Sequence, residues 1–236
     1  MNTKTTHIFL AGGGGAEDSK LLDEQFVKKL DLTKPLVYIP NAMSSKPYQL
    51  CLEWFHSVMT PLGVTTIEMW DDLHPRYPAA GIAGMYIGGG DTAKLLKEIY
   101  GASFDEYLRE VAQGGVPLYG GSAGAVILGE DIRTTPEASQ LAPSEVTGLK
   151  IIENYSIICH YKPDDEEATR KLAKTLHQDI IAIPERSGGY IAGRILTTYG
   201  TELVVIVHED RVDSVRPNHS IKLQARRWNR THLNMP

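Results

Sequence analysis

The sharpest chemistry this chain offers is a serine set between glycines, Gly120-Gly121-Ser122-Ala123-Gly124. The run before it, Val116-Pro117-Leu118-Tyr119, is short and apolar, and Ala125-Val126-Ile127-Leu128 after it is apolar again. That pattern reads as buried strand, abrupt turn and buried helix, and G-x-S-x-G is the pattern of a nucleophile elbow. Glycines suit such a turn because side chains would clash with the tight backbone and close the approach to the hydroxyl. A helix starting at the serine also aims free N–H groups and a positive dipole end at the site. The same residues equally describe a glycine-rich turn in which Ser122 only caps a helix.

A serine hydroxyl is a poor nucleophile at neutral pH and needs a base, itself oriented by an acid. Of the eight histidines, His160 stands where a β-rich run meets a loop, and Glu185 ends the next expected strand. Ligand sites of parallel sheets form at strand C-terminal ends, so both are candidates. Read alone, His160 also fits a surface or capped core histidine, and Glu185 a solvated carboxylate. The order Ser122, His160, Glu185 differs from the serine, acid, histidine order of α/β-hydrolases. Gly88-Gly89-Gly90-Asp91-Thr92 ends a strand and opens a helix. Its N–H groups could form an oxyanion hole with that of Ala123, or they could bind phosphate. Neither Gly12–Gly15 nor Gly88–Gly90 completes G-x-G-x-x-G or leads into Gly-Lys-Ser/Thr. His208-Glu209-Asp210-Arg211-Val212 fails H-E-x-x-H, and Cys159-His160 has no matching pair. The expectation is therefore no metal and no cofactor.

Those residues must be held by a scaffold of alternating elements. His7–Ala11, Leu36–Ile39, Val64–Met69, Met85–Ile87 and the run before the elbow read as strands. Helical spacing of apolar residues marks Ser19–Leu30, Tyr48–Met59, the stretch from Thr92 to Tyr100, and Phe104–Gln113. Such alternation predicts an α/β fold in three layers, with a mostly parallel sheet covered by helices on both faces. Beyond the elbow a polar loop runs from Arg133 to about Thr147. Leu149–Cys159 is then mostly apolar and β-rich, Glu166–His177 helical, and Ile180–Ile183 a strand. From Tyr190 onward, β-rich segments suggest antiparallel strands at one edge. With no repeat or linker, residues 1–236 are expected to form a single domain.

Bulk properties narrow the partners. A formal charge of −5 gives no reason to expect nucleic acid, and the basic stretch with Arg226, Arg227 and Arg230 reads as a solvated end. No apolar segment approaches the length that spans a bilayer. The polar start Met1–Thr6 does not resemble a signal peptide, and two cysteines are too few for a disulfide framework. A cytoplasmic location without membrane attachment is expected.

Tyr86-Ile87-Gly88-Gly89-Gly90-Asp91-Thr92, Gly121-Ser122-Ala123-Gly124-Ala125, Ile132-Arg133-Thr134-Thr135, His160-Tyr161 and Ile183-Pro184-Glu185 occur in that order. Together they resemble the dipeptidase E and cyanophycinase family of serine peptidases (peptidase family S51), from about residue 7 to about residue 210. The resemblance implies a sheet like that of class I glutamine amidotransferases. It also implies Ser122 as nucleophile, His160 as base, Glu185 as third member, and oxyanion donors at Gly89 or Gly90 and at Ala123. Aspartyl dipeptidases of the family cleave after an N-terminal aspartate received by a basic residue, and Arg170 resembles that position. This chain departs from them at Pro136-Glu137, which replaces Asn-Asp in a stretch expected to bind substrate, in the short loop after His160, and at Arg186. The expected activity is hydrolysis of small peptides by an enzyme that could be a homodimer. Another serine hydrolase on the same elbow, or a non-catalytic relative binding a small ligand, remains open at this point.

Overall fold

A computed structural model describes residues 4–138 and 141–224; the basic residues Arg226, Arg227 and Arg230 lie outside them. The first half alternates strand and helix. In chain order come β1 (His7–Ala11), α1 (Ala16–Val27), β2 (Leu36–Ile39), α2 (Tyr48–Met59), β3 (Ile67–Met69) and β4 (Gly84–Ile87). They are followed by α3 (Thr92–Gly101), α4 (Phe104–Gln113), β5 (Leu118–Gly121) and the short α5 (Ala123–Val126). The second half holds β6 (Tyr155–Cys159), α6 (Glu166–Leu176), β7 (Asp179–Ile183) and β8 (Ser187–Ala192). Then come β9 (Ile195–Gly200), β10 (Val204–Val207), β11 (Val212–Val215) and β12 (Ser220–Lys222).

An eight-stranded sheet runs in the order β12-β9-β8-β1-β5-β4-β2-β3. The five strands from β1 to β3 in that order are mutually parallel, and β8, β9 and β12 continue antiparallel. Side chains alternate across a strand, and both faces of this sheet are covered. On one face Phe9, Tyr38, Tyr86 and Tyr119 pack with Leu22 and Phe26 of α1 and Phe55 and Met59 of α2. On the other, Ile8, Leu10, Ile39, Ile87 and Leu118 pack with Leu95 and Ile99 of α3 and Leu108 and Val111 of α4. The expected three-layer α/β arrangement is thus the one observed.

The C-terminal strands are arranged differently from expectation. Instead of one antiparallel edge they divide between two sheets, because β10 and β11 join β6 and β7 in a second sheet of order β11-β10-β7-β6. Ile181 and Ile183 of β7 face the main core, whereas Ile180 and Ala182 pack with Ala173 of α6. The apolar stretch from Leu149 also differs: only Tyr155–Cys159 is strand. Leu149 and Ile152 are buried, but their N–H groups bond to Ile127 and Leu128 carbonyls beside the short helix. Lys150 and Asn154 adopt φ of 55° and 71°, which breaks any extended run.

Candidate active site

Strand register brings the site residues together. In the large sheet Ala11 pairs with Gly121, and Ile87 with Gly120. The turns that follow β1, β4 and β5 therefore emerge side by side: Gly12–Gly15, Gly88–Gly90 and Ser122. In the second sheet Cys159 pairs with Ile183 in parallel, so His160 and Pro184-Glu185 leave at matching ends. A backbone bond joins the sheets here: the His160 N–H donates to the Gly12 carbonyl at 2.8 Å, while the Gly12 N–H extends the β1–β8 ladder to the Ser187 carbonyl at 3.1 Å.

Ser122 sits on a sharp elbow with φ 49° and ψ −112°. A non-glycine residue in this region carries strain of about 1–3 kcal/mol, held in place only by its surroundings. The turn is compressed around it. A Cβ on Gly120 would stand 2.4 Å from the Gly124 carbonyl oxygen, and one on Gly124 would stand 2.3 Å from that of Ile87. No side chain fits at either position, so the spacing of the motif is a packing requirement.

The Ser122 Oγ lies 2.9 Å from His160 Nε2, and His160 Nδ1 lies 2.8 Å from Glu185 Oε1. A carboxylate only accepts, so Nδ1 carries the proton it donates to Glu185, and Nε2 is left to accept from the serine hydroxyl. This is the tautomer a general base needs. The His160 and Glu185 side chains are 49% and 55% exposed, so incoming substrate has open access to the serine. The three residues singled out by type and spacing thus form one continuous hydrogen-bonded chain.

Gly89 backs directly onto the serine, since a Cβ placed on it would lie 3.1 Å from Ser122 Cβ. Gly90 and Ala123 line the same cavity as Ser122. Ala123 opens α5, so its N–H has no carbonyl of a preceding turn to meet. Among the described residues the N–H groups of Gly89, Gly90 and Ala123 find no acceptor. They are available to a developing oxyanion.

Two further residues, neither expected from the sequence, shape the site. Gly13, at φ 117°, passes so close to His160 that a Cβ would lie 2.2 Å from Cε1 of the ring and 2.7 Å from each ring nitrogen. Gly12 is equally confined, its would-be Cβ 1.9 Å from the Pro184 carbonyl oxygen. The loop after β1 is therefore the bed on which the histidine rests. Its glycines were visible in the sequence, but nothing local tied them to a residue so far along the chain. Cys159 is the other: its Sγ lies 3.5 Å from the Ser122 carbonyl oxygen, and burial pushes its thiol up to about 12. It lines the same cavity, part-buried, as a neutral thiol.

A cavity of about 660 Å³ opens beside the serine, lined by Val126, Thr134, Glu137, Asp165, Leu172 and other residues. Glu137 belongs to it and approaches the Thr92 N–H at the start of α3 with Oε1 at 3.4 Å. Arg170 is not among the lining residues. Asp165, Ala168, Thr169 and Leu172 recur at helical spacing and give α6 its cavity face. At about 100° per residue, Arg170 projects roughly 150° from the centre of that face. It bonds Glu166 Oε1 there at 3.0 Å. The structure brings Ser122, His160, Glu185, Gly89, Gly90, Ala123 and Glu137 together and leaves Arg170 on the outer side of α6. Among the described residues no group of three or more His, Cys, Asp or Glu side chains could hold a metal ion, and no helix is long and apolar enough to cross a membrane.

Residues 8–194 match the model of peptidase family S51. The chain belongs to this family of serine-type peptidases. It is 29% identical over 174 residues to Peptidase E of Shewanella amazonensis, covering 70% of this chain and 74% of that one. It is 28% identical over 190 residues to Peptidase E of Shewanella oneidensis, covering 74% and 78%. With Peptidase E of Shewanella sp. strain ANA-3 the match is 31% over 137 residues and spans 58% of each chain. The fold is also similar to the crystal structure of a peptidase from an acI-B1 Actinobacterium. That likeness has a TM-score of 0.74 at 19% identity, over 94% of this chain and 98% of the other. A peptidase E-type protein from Listeria monocytogenes EGD-e gives a TM-score of 0.64 at 21% identity, over 84% and 100%.

Proposed function

We propose that this S51 peptidase hydrolyses small peptides through Ser122 as nucleophile, His160 as general base and Glu185 as the acid that orients the histidine. The observation that carries the reading is the chain of bonds at 2.9 Å and 2.8 Å from the Ser122 hydroxyl through the imidazole to the Glu185 carboxylate.

In the first step Ser122 Oγ attacks the scissile carbonyl carbon while its proton passes to His160 Nε2. The carbonyl oxygen becomes an oxyanion facing the N–H groups of Ala123 and of Gly89 or Gly90, each worth about 3 kcal/mol if removal of one such donor is the guide. The C–N bond then breaks, and the proton on Nε2 leaves with the departing amine. Water attacks the resulting ester, giving a proton to Nε2. Collapse of the second tetrahedral species returns that proton to Ser122 and releases the acid. Glu185 stabilises the imidazolium in both halves without being protonated itself.

The half-exposed site and a cavity of about 660 Å³ suit a short peptide. A preference for an N-terminal acidic residue would need a cation at the cavity, and Arg170 on the outer face of α6 does not supply one. The test is Ser122→Ala assayed on dipeptides with acidic, basic and neutral N-terminal residues. Turnover should fall by several orders of magnitude. Equal turnover by mutant and wild type would remove the serine from the mechanism, and hydrolysis of p-nitrophenyl esters without any of peptides would replace the peptidase reading with an esterase one.

A further inference from the structure

The turn Gly88–Gly90 carries no side chain with which to fix its own position. Its anchors come from the loop that follows β2. The Gly88 N–H donates to the Ile39 carbonyl at 2.9 Å, and the Asp91 N–H to the Ala42 carbonyl at 2.8 Å. Between them Gly90, at φ 144°, presses on the Ala42–Met43 peptide. A Cβ there would stand 2.2 Å from the Ala42 carbonyl oxygen and 3.0 Å from the Met43 nitrogen. Wherever that peptide sits, the N–H groups of the turn must follow.

The peptide is gripped from α3. The Lys94 ammonium has three donors, and they meet three acceptors: the Asn41 carbonyl, the Met43 carbonyl at 3.2 Å and the Tyr48 hydroxyl at 3.0 Å. The two carbonyls flank Ala42 on either side. Glu98 closes the arrangement, with Oε1 3.3 Å from Lys94 Nζ and Oε2 accepting from the Asn41 side-chain amide at 2.9 Å. Asp91, Lys94 and Glu98 share one face of α3 at helical spacing, and Asp91 caps the helix by accepting the Lys94 backbone N–H at 2.8 Å. Gly90 and Thr92 line the cavity beside Ser122, whereas Lys94 does not.

We propose that Lys94 is a positioning residue for the reaction: by holding the Asn41 and Met43 carbonyls it sets the Ala42–Met43 peptide against Gly90, and through it the N–H groups that receive the oxyanion. This rests on Ser122 as nucleophile and on Gly89 or Gly90 as oxyanion donor. The lysine touches neither the serine nor His160. Its loss should therefore be felt in the transition state, where charge develops on the carbonyl oxygen, and not in ground-state binding.

The experiment measures kcat and KM on the fastest-cleaved of Asp-Ala, Leu-Ala and Lys-Ala, with thermal melts and the rate of labelling by a fluorophosphonate probe. The variants are Lys94→Met, Lys94→Arg, Tyr48→Phe, Lys97→Met and Ser122→Ala. Removing an oxyanion donor costs roughly 10²–10³ in kcat, so displacing one should cost on the order of tenfold or more. Lys94→Met, assayed below its melting temperature, should show that loss in kcat with KM within about twofold. Labelling should slow in step, because the phosphonyl oxygen uses the same donors. The pH at which kcat/KM is half-maximal should stay at its wild-type position, since the base is undisturbed. Lys94→Arg keeps a cation with several donors and should recover most of the loss. Lys97→Met, exposed on the same helix, should match wild type. If Lys94→Met does not fold, Tyr48→Phe removes one of the three acceptors and should show the same split as a smaller kcat loss. Wild-type kcat in the folded variant, a loss carried by KM, or a loss that arginine does not restore would overturn the proposal. Turnover that vanishes in Ser122→Ala keeps the nucleophile assignment even then. Turnover that persists in Ser122→Ala overturns both.

Discussion

Replacing Gly13 by alanine should disable the histidine without touching any residue of the catalytic chain. The new Cβ would lie 2.2 Å from His160 Cε1, where ordinary contact begins at 3.4 Å, so the ring must retreat by about 1.2 Å. A displacement near 1 Å in a catalytic group costs on the order of a hundredfold in rate. Because the error lies in base geometry, kcat should carry it and KM should change little. Alanine at φ 117° also strains the backbone by about 1–3 kcal/mol, so lost activity alone would not separate misplacement from unfolding. Gly14→Ala supplies the control. It places alanine at φ 77° in the same loop, but its Cβ meets the Asp18 carboxylate instead of the imidazole. Circular dichroism melts of both variants, with kcat and KM on a cleaved dipeptide, should show similar losses of stability and a large kcat loss confined to Gly13→Ala. Wild-type kcat in a folded Gly13→Ala protein would refute the claim that this loop fixes the histidine.

Three further outcomes follow from particular side chains. Asp23 is 1% exposed, accepts the Tyr119 hydroxyl at 2.6 Å and the Ser19 hydroxyl at 2.8 Å, and burial raises its carboxyl to about 6. The native state therefore holds this proton more tightly than the unfolded chain, and stability should decline as pH rises from about 4 to beyond 6. The full loss is about 3 kcal/mol. Urea titrations across that range should show the decline in wild type and a flatter profile in Asp23→Asn. Burial also raises both thiols, Cys159 to about 12 and Cys51 above its usual range. Iodoacetamide at pH 8 should thus react slowly with the folded enzyme even though Cys159 lines the cavity, and rapid alkylation with inactivation would contradict the raised thiols. Arg170→Ala should hold kcat/KM within about twofold on every dipeptide, because the side chain lies on the outer face of α6.

The elbow was legible because its determinants are local: five consecutive residues encode strand end, strained turn and helix start. His160 and Glu185 were legible for a related reason, as polar residues at the ends of β-rich runs stand where a parallel sheet gathers its ligands. What could not be read depended on partners distant in the chain. Nothing near Gly13 announces that its missing side chain makes room for an imidazole 147 positions later. The strand character of Val204–Val207 and Val212–Val215 was visible, but not that they leave the large sheet to extend β7. Leu149 and Ile152 had the apolar composition of a strand because they are buried against the main core, and burial alone does not specify extended backbone. Arg170 shows the same limit in reverse. Less than half a turn in how a helix is rotated decides whether a basic residue meets substrate or solvent, and spacing from a motif does not fix that rotation.

The site of covalent modification by a fluorophosphonate probe, located by peptide mapping, tests the serine mechanism most directly. One adduct per chain is expected, on Ser122, formed much more slowly in His160→Ala, where no base remains to take the hydroxyl proton. An active enzyme that carries its adduct on another residue, or that labels equally fast without His160, would contradict it.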